Sequence, residues 1–210
     1  LGSPGARFGA ALGRAPPPEG IALVRRDASE RGAAFKGQNG SRLSRADRAS
    51  PRSVAMLHSF WFQQGEKAFR EILESDPSCA IANWGIAAIL IGNTFAGNAS
   101  AQDAQKAREA IQRGRLTGAK SERERYYIEA IAEYYDRFGD RRHGARMKSL
   151  ADAFEAVAKK FPKDDEAQIF YALYLTATQS PTDKTFADTL KAAQILEPQF
   201  KKHPHHPGVA

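Results

Sequence analysis

One spacing of side chains recurs four times along the chain and limits the fold more than any other feature. Small or apolar residues stand at Gly65, Ala107, Leu150 and Ala192, at intervals of 42, 43 and 42 residues. Four positions after each comes a bulkier apolar side chain: Phe69, Ile111, Phe154 and Leu196. Eight positions further on stand Pro77, Pro162 and Pro204, with Ala119 in the equivalent place of the second copy. A period of this length implies stacked supersecondary units, each burying its apolar face only against a neighbour.

Each unit reads as a helix pair, which makes the region from about residue 50 to 210 all-α. The predicted first helices lie near 51–59, 79–92, 121–138 and 164–178, and the second helices near 63–75, 101–117, 142–161 and 183–202. Local signals mark the boundaries. Ser50-Pro51 suits a helix start, with Ser as cap and Pro at the first position. Ser121 with Glu124 is a capping box. Asp76-Pro77, Phe161-Pro162 and His203-Pro204 stop helices, because a proline ring clashes with a continuing turn. Within a pair, the small residue of the second helix lets the first helix approach, and the bulkier one four positions on fills the gap beside it. Trp84, Tyr126 and Ile169 hold matching places in successive first helices and are expected to pack there.

This pattern of small residue, bulky residue and helix-ending proline resembles the tetratricopeptide repeat (TPR), lengthened in its loops. More specifically, three segments are similar to a family of bacterial tetratricopeptide repeat proteins: LHSFWFQQGEKAFREILESDPSCAIANWGIA (57–87), SERERYYIEAIAEYY (121–135) and PTDKTFADTLKAAQILEPQFKKHPHHPGVA (181–210). The resemblance implies a TPR-like α-solenoid of about four antiparallel pairs and brings no reaction with it. The chain opens with Leu1 and stops at Ala210 inside the last motif, so the expectation is a fragment. A last hairpin without a capping helix is then expected to expose an apolar patch along residues 183–202.

Charge divides the chain in two. Residues 1–53 carry ten Lys or Arg against four acidic side chains, whereas the remainder carries 21 against 20. The basic pI is thus a property of the leading segment, and no nucleic acid is expected as partner of the folded part. Residues 1–49 are rich in Gly, Ala, Arg, Ser and Pro without sustained periodicity, which reads as a disordered tail. No apolar run is long enough for a membrane span, and no signal peptide is visible, so the compartment stays open with the cytoplasm as default. The lone Cys79 excludes an intrachain disulfide and a cysteine-rich zinc site.

Few residues invite chemistry. His203, His205 and His206 form the only local concentration of metal-capable side chains, but two prolines among them forbid a helical ligand pair. A loop between repeats is one reading, and a metal site completed beyond residue 210 is the alternative. Asp164, Asp165 and Glu166 suit the positive end of a helix. His58 next to Ser59 lacks an apparent orienting group, so no catalytic pair is expected. Arg137, Arg141, Arg142 and Arg146 gather at a turn, either solvated or as a patch for an acidic peptide. The reading is therefore a non-catalytic scaffold for a protein or peptide, without a cofactor. In such arrays first helices line the concave face, so whichever of Tyr127, Tyr134, Tyr135, Phe170 and Tyr174 are exposed there are the expected contacts.

Overall fold

The computed structural model describes residues 45 to 95 and 99 to 209. The segment read as a disordered tail lies outside the described residues, except at its very end. Among the described residues the fold is all-helical, with eight helices and no strand: α1 (Arg45–His58), α2 (Phe62–Ser75), α3 (Ala80–Ile89), α4 (Ala101–Thr117), α5 (Glu122–Tyr135), α6 (His143–Lys160), α7 (Asp165–Thr176) and α8 (Ala187–Lys202). None of them is long and apolar enough to cross a membrane.

Most boundaries follow from local chemistry. The Ser100 side chain accepts from the Asp103 amide at the start of α4, and Ser121 accepts from the Glu124 amide at the start of α5. The capping box is shifted by one residue: the Glu124 carboxylate takes the amide of Lys120, not that of Ser121. α2, α6 and α8 end on Asp76, Phe161 and His203, each just before its proline. Two starts differ from expectation. α1 begins at Arg45 with Pro51 inside it, so Ser50-Pro51 does not mark its start; a proline inside a helix loses one backbone bond and crowds the preceding turn, which can kink the helix instead of ending it. α8 begins at Ala187, since the Asp183 carboxylate takes the Thr185 amide and hydroxyl and holds that stretch as a turn.

Consecutive helices pack on one another throughout, and α1 also reaches α3, as α3 reaches α5. The repeated positions sit where the spacing puts them. Gly65, Ala107, Leu150 and Ala192 are all buried, and so are Phe69, Ile111 and Phe154. Leu196 is only partly buried, because no described helix follows α8. Pro77, Pro162 and Pro204 lie exposed beyond their helices. Trp84 and Ile169 are buried and Tyr126 partly so.

Close approach explains the small residues. A Cβ placed on Gly65 would come within 2.5 Å of the Ile89 side chain, and one on Gly85 within 2.3 Å of the Phe69 ring. Phe69 of α2 thus lies against the bare backbone of α3, linking two hairpins face to face. Such contacts let α3 meet both α2 and α4 closely enough to bury nearly every one of its residues.

Candidate functional site

The aromatic side chains of the first helices fill the inside of the array. Trp84 of α3 meets Tyr127 of α5 and Phe170 of α7 edge-on, each with ring centres 5.2 Å apart. Phe170 also stacks on His58 at the end of α1, at 4.5 Å. Phe154 of α6 closes the cluster against Tyr127, Phe170 and Tyr174. α7 therefore touches residues of α1 and α3 through the Phe170 ring. Tyr127, Tyr134, Tyr135, Phe170 and Tyr174 are all buried, so none is available as an open-groove contact. Sequence periodicity marks them as apolar-face residues but cannot distinguish a groove lining from a helix–helix seam.

Polar chemistry converges at the start of α7. Its three consecutive carboxylates serve three different parts of the chain. Asp164 caps α7 through the Ala167 amide and accepts a forked pair of bonds from Arg123, at 2.5 and 3.0 Å, plus one from the Tyr127 hydroxyl at 2.8 Å. Asp165 takes Lys202, at 2.6 and 2.7 Å, and His203 Nε2 at 2.8 Å. Glu166 lies between two imidazoles, with His58 Nε2 at 2.9 Å from Oε2 and His206 Nε2 at 2.8 Å from Oε1. Helix capping accounts for Asp164 alone, so the triplet is a hub and not merely a charged first turn.

The tautomer at His206 follows from its neighbours. The Gly208 amide donates to Nδ1, so Nε2 carries the proton and donates to Glu166. Burial on its own raises the Glu166 carboxyl, but the hydrogen bonds from His206 and His58 outweigh it and hold the group at about 2, below its ordinary 4.5. Asp165 is lowered too, where Lys202 and His203 prevail over the cost of burial. Burial pushes the Tyr127 hydroxyl up, so it stays a donor to Asp164.

The histidines singled out in the sequence are divided by the fold. His206 joins His58 and Glu166, His203 pairs with Asp165, and His205 is exposed. His58 does have an orienting carboxylate, contrary to expectation, but it is supplied from 108 residues away. Spacing along the chain cannot show such a pairing.

Comparison with protein-family models, with curated proteins and with solved structures returns no match. The residues must therefore speak for themselves.

Two arginines of the arginine turn, Arg141 and Arg146, are structural. Arg146 is buried over the Phe138 ring and donates to the backbone oxygens of Phe138 and Arg141. Arg141 bonds the Glu133 and Ala145 carbonyls and the Ser149 hydroxyl. Both guanidinium groups are thus committed to holding the α5–α6 turn, and Arg137 is paired with Asp136. Burial raises the Cys79 thiol, as an inert cysteine requires.

One surface was not legible in the sequence. Phe60, Trp61 and Phe95 are 43%, 59% and 53% exposed, and the Phe60 ring lies edge-on to Phe62 and Phe95. Phe60 sits at φ 58°, the left-handed region, just after α1. The Trp61 amide reaches the Met56 carbonyl and the Phe60 amide the Leu57 carbonyl, the paired bonds that close a helix with a left-handed residue. That position normally belongs to glycine; here a phenylalanine occupies it.

Proposed function

We propose that residues 50–210 form a TPR-like solenoid that acts as a non-catalytic scaffold, and that its protein or peptide partner docks on the α1–α2 turn at Phe60 and Trp61, beside Phe95 of the α3–α4 segment. The observation that carries this reading is the exposure of Phe60 and Trp61 on a turn closed by a bulky left-handed residue, with the exposed Phe95 ring, from the segment after α3, edge-on to Phe60. Tryptophan and its aromatic neighbours dominate the energetics of binding interfaces. A phenylalanine in the left-handed region costs about 1 kcal/mol relative to glycine, and strain of this kind concentrates where function demands it. The repeated spacing, the pairwise helix contacts and the exposed prolines support the solenoid part of the proposal.

The filled interior shifts the expected contact surface from the concave face to the outer turn. Carboxylates at the start of α7 are spent on partners within the chain, which fits a scaffold better than acid–base chemistry.

Panning a random peptide display library on the protein tests the reading. Enriched peptides should bind Trp61→Ala at least about tenfold more weakly, while the variant melts like wild type. Peptides that bind both proteins equally, or a library that yields none, would contradict it. A metal-binding reading rests on other side chains, His58, Glu166 and His206.

A further inference from the structure

We propose that His58, Glu166 and His206 constitute a binding site for a divalent metal ion of the zinc class. It goes beyond the scaffold reading and uses none of the residues that carry it. Among the described residues this is the one group of three metal-capable side chains whose ligand atoms all lie within 4.8 Å of one another.

The geometry can take an ion after a small adjustment. An ion held at about 2.0 to 2.2 Å from tetrahedrally placed nitrogen and oxygen ligands sets those ligands roughly 3.4 Å apart. His58 Nε2 stands 2.9 Å from Glu166 Oε2 and His206 Nε2 2.8 Å from Oε1, so the ion replaces two hydrogen bonds and the ligands spread by about half an ångström. Two imidazoles and one carboxylate are also the ligand set of an open zinc site, in which the remaining position takes water. Glu166 and His206 keep part of their surface in solvent, so water can reach that position.

Three separate elements fix the ligands before any ion arrives. His58 ends α1, buried and stacked on Phe170, and its ring is edge-on to His206 at 5.0 Å. Glu166 lies in the first turn of α7. His206 belongs to the turn after α8, where the absence of a side chain at Gly208 is required: a Cβ there would stand 2.7 Å from His58 Nδ1. Much of the ordering of these side chains is therefore complete before binding, which is what preorganisation contributes to affinity.

The metal-free hydrogen bonds specify what binding must change. His206 keeps its proton on Nε2, facing Glu166, because Nδ1 accepts from Gly208. Coordination through Nε2 moves that proton to Nδ1, and the Gly208 amide must then turn away. No net proton is released if the rings stay neutral, and the Gly208 amide becomes a reporter for the event. The set of two nitrogens and one carboxylate selects zinc, cobalt or nickel over calcium and magnesium, which want oxygen alone.

The test uses the full chain after dialysis against chelator. Calorimetric titration with Zn2+ and absorption spectroscopy with Co2+ should each show one ion per chain. His206→Ala and Glu166→Gln should weaken binding by at least about 100-fold while the far-ultraviolet circular dichroism stays that of wild type. His205→Ala, which alters the exposed neighbour, should leave affinity unchanged. X-ray absorption of the zinc-loaded wild type should count two imidazoles, a readout that depends on no variant. No binding, binding lost equally in His205→Ala, binding kept in His206→Ala, equal affinity for Mg2+, or fewer than two imidazoles would each overturn the proposal.

Discussion

The two tryptophans of the chain occupy opposite surroundings. Trp84 is 2% exposed, ringed by Tyr127 and Phe170 from helices one and two units further along. Trp61 is 59% exposed, on the turn between α1 and α2. Both lie within LHSFWFQQGEKAFREILESDPSCAIANWGIA. Trp84 stands in the apolar run AIANWGIAAI, which forms α3 and packs on α1, α2, α4 and α5, whereas Trp61 stands in the α1–α2 turn, whose Phe60 meets the exposed Phe95. The same contrast recurs in the last hairpin. α7 buries Ala167, Ile169, Phe170, Tyr171, Ala172, Tyr174 and Leu175, whereas α8 buries Ala192 alone and leaves Phe186, Leu190 and Phe200 exposed. Among these helices, burial follows how many neighbours each one has.

The largest effect should come from the inner region. Phe154→Ala removes a fully buried ring that touches Tyr127, Phe170 and Tyr174, and should cost about 3 to 5 kcal/mol in urea unfolding. A loss under about 1 kcal/mol would mean that the interior is not packed as described. Gly85→Ala should cost about 1 to 3 kcal/mol, because the added methyl meets the Phe69 ring, which is itself buried and cannot swing aside.

The outer region should respond in the opposite sense. Phe60→Gly should raise stability by about 0.5 to 1 kcal/mol, since glycine accepts the left-handed conformation without strain. The same substitution should weaken peptide binding, which separates stability from function at one residue. Smaller still is the rim contact between α6 and α8. Lys191 and the Tyr171 hydroxyl hold the Glu155 carboxyl at about 2, below its ordinary 4.5. Its folded value lies below its unfolded one, so the stabilisation is complete above pH 4.5 and is lost as the pH falls towards 2. Comparing wild type with Glu155→Gln across that window should show a difference of about 1 kcal/mol or less, as expected for a partly exposed pair.

How much of this was legible in the sequence depends on distance along the chain. The helix pairs were, because small residue, bulky residue and proline repeat within each unit and act through local sterics. So were the caps at Ser121 and the acidic start of α7. The facing of the aromatics was not: Tyr127 and Tyr134 have periodic spacing that fits a groove or a seam equally, and it is the contacts of Tyr127 with Trp84 and Phe154 and of Tyr134 with Tyr135 that place them in a seam. The pairing of His58 with Glu166, and of Glu166 with His206, joins positions 108 and 40 residues apart, beyond the reach of any motif. The left-handed Phe60 is hidden from the sequence for a third reason. Helix ends are read from glycine, and this one has a phenylalanine in the glycine's place.

Acrylamide quenching of single-tryptophan variants tests the contrast between the two regions most directly. Trp61→Phe leaves Trp84 alone, and its emission should be blue-shifted and almost unquenched. Trp84→Phe leaves Trp61, which should emit like a solvated indole, quench readily, and lose that quenching when a selected peptide binds. If both variants quench alike, the filled interior and the outward aromatic turn are not distinct, and the account of where this protein binds a partner fails with them.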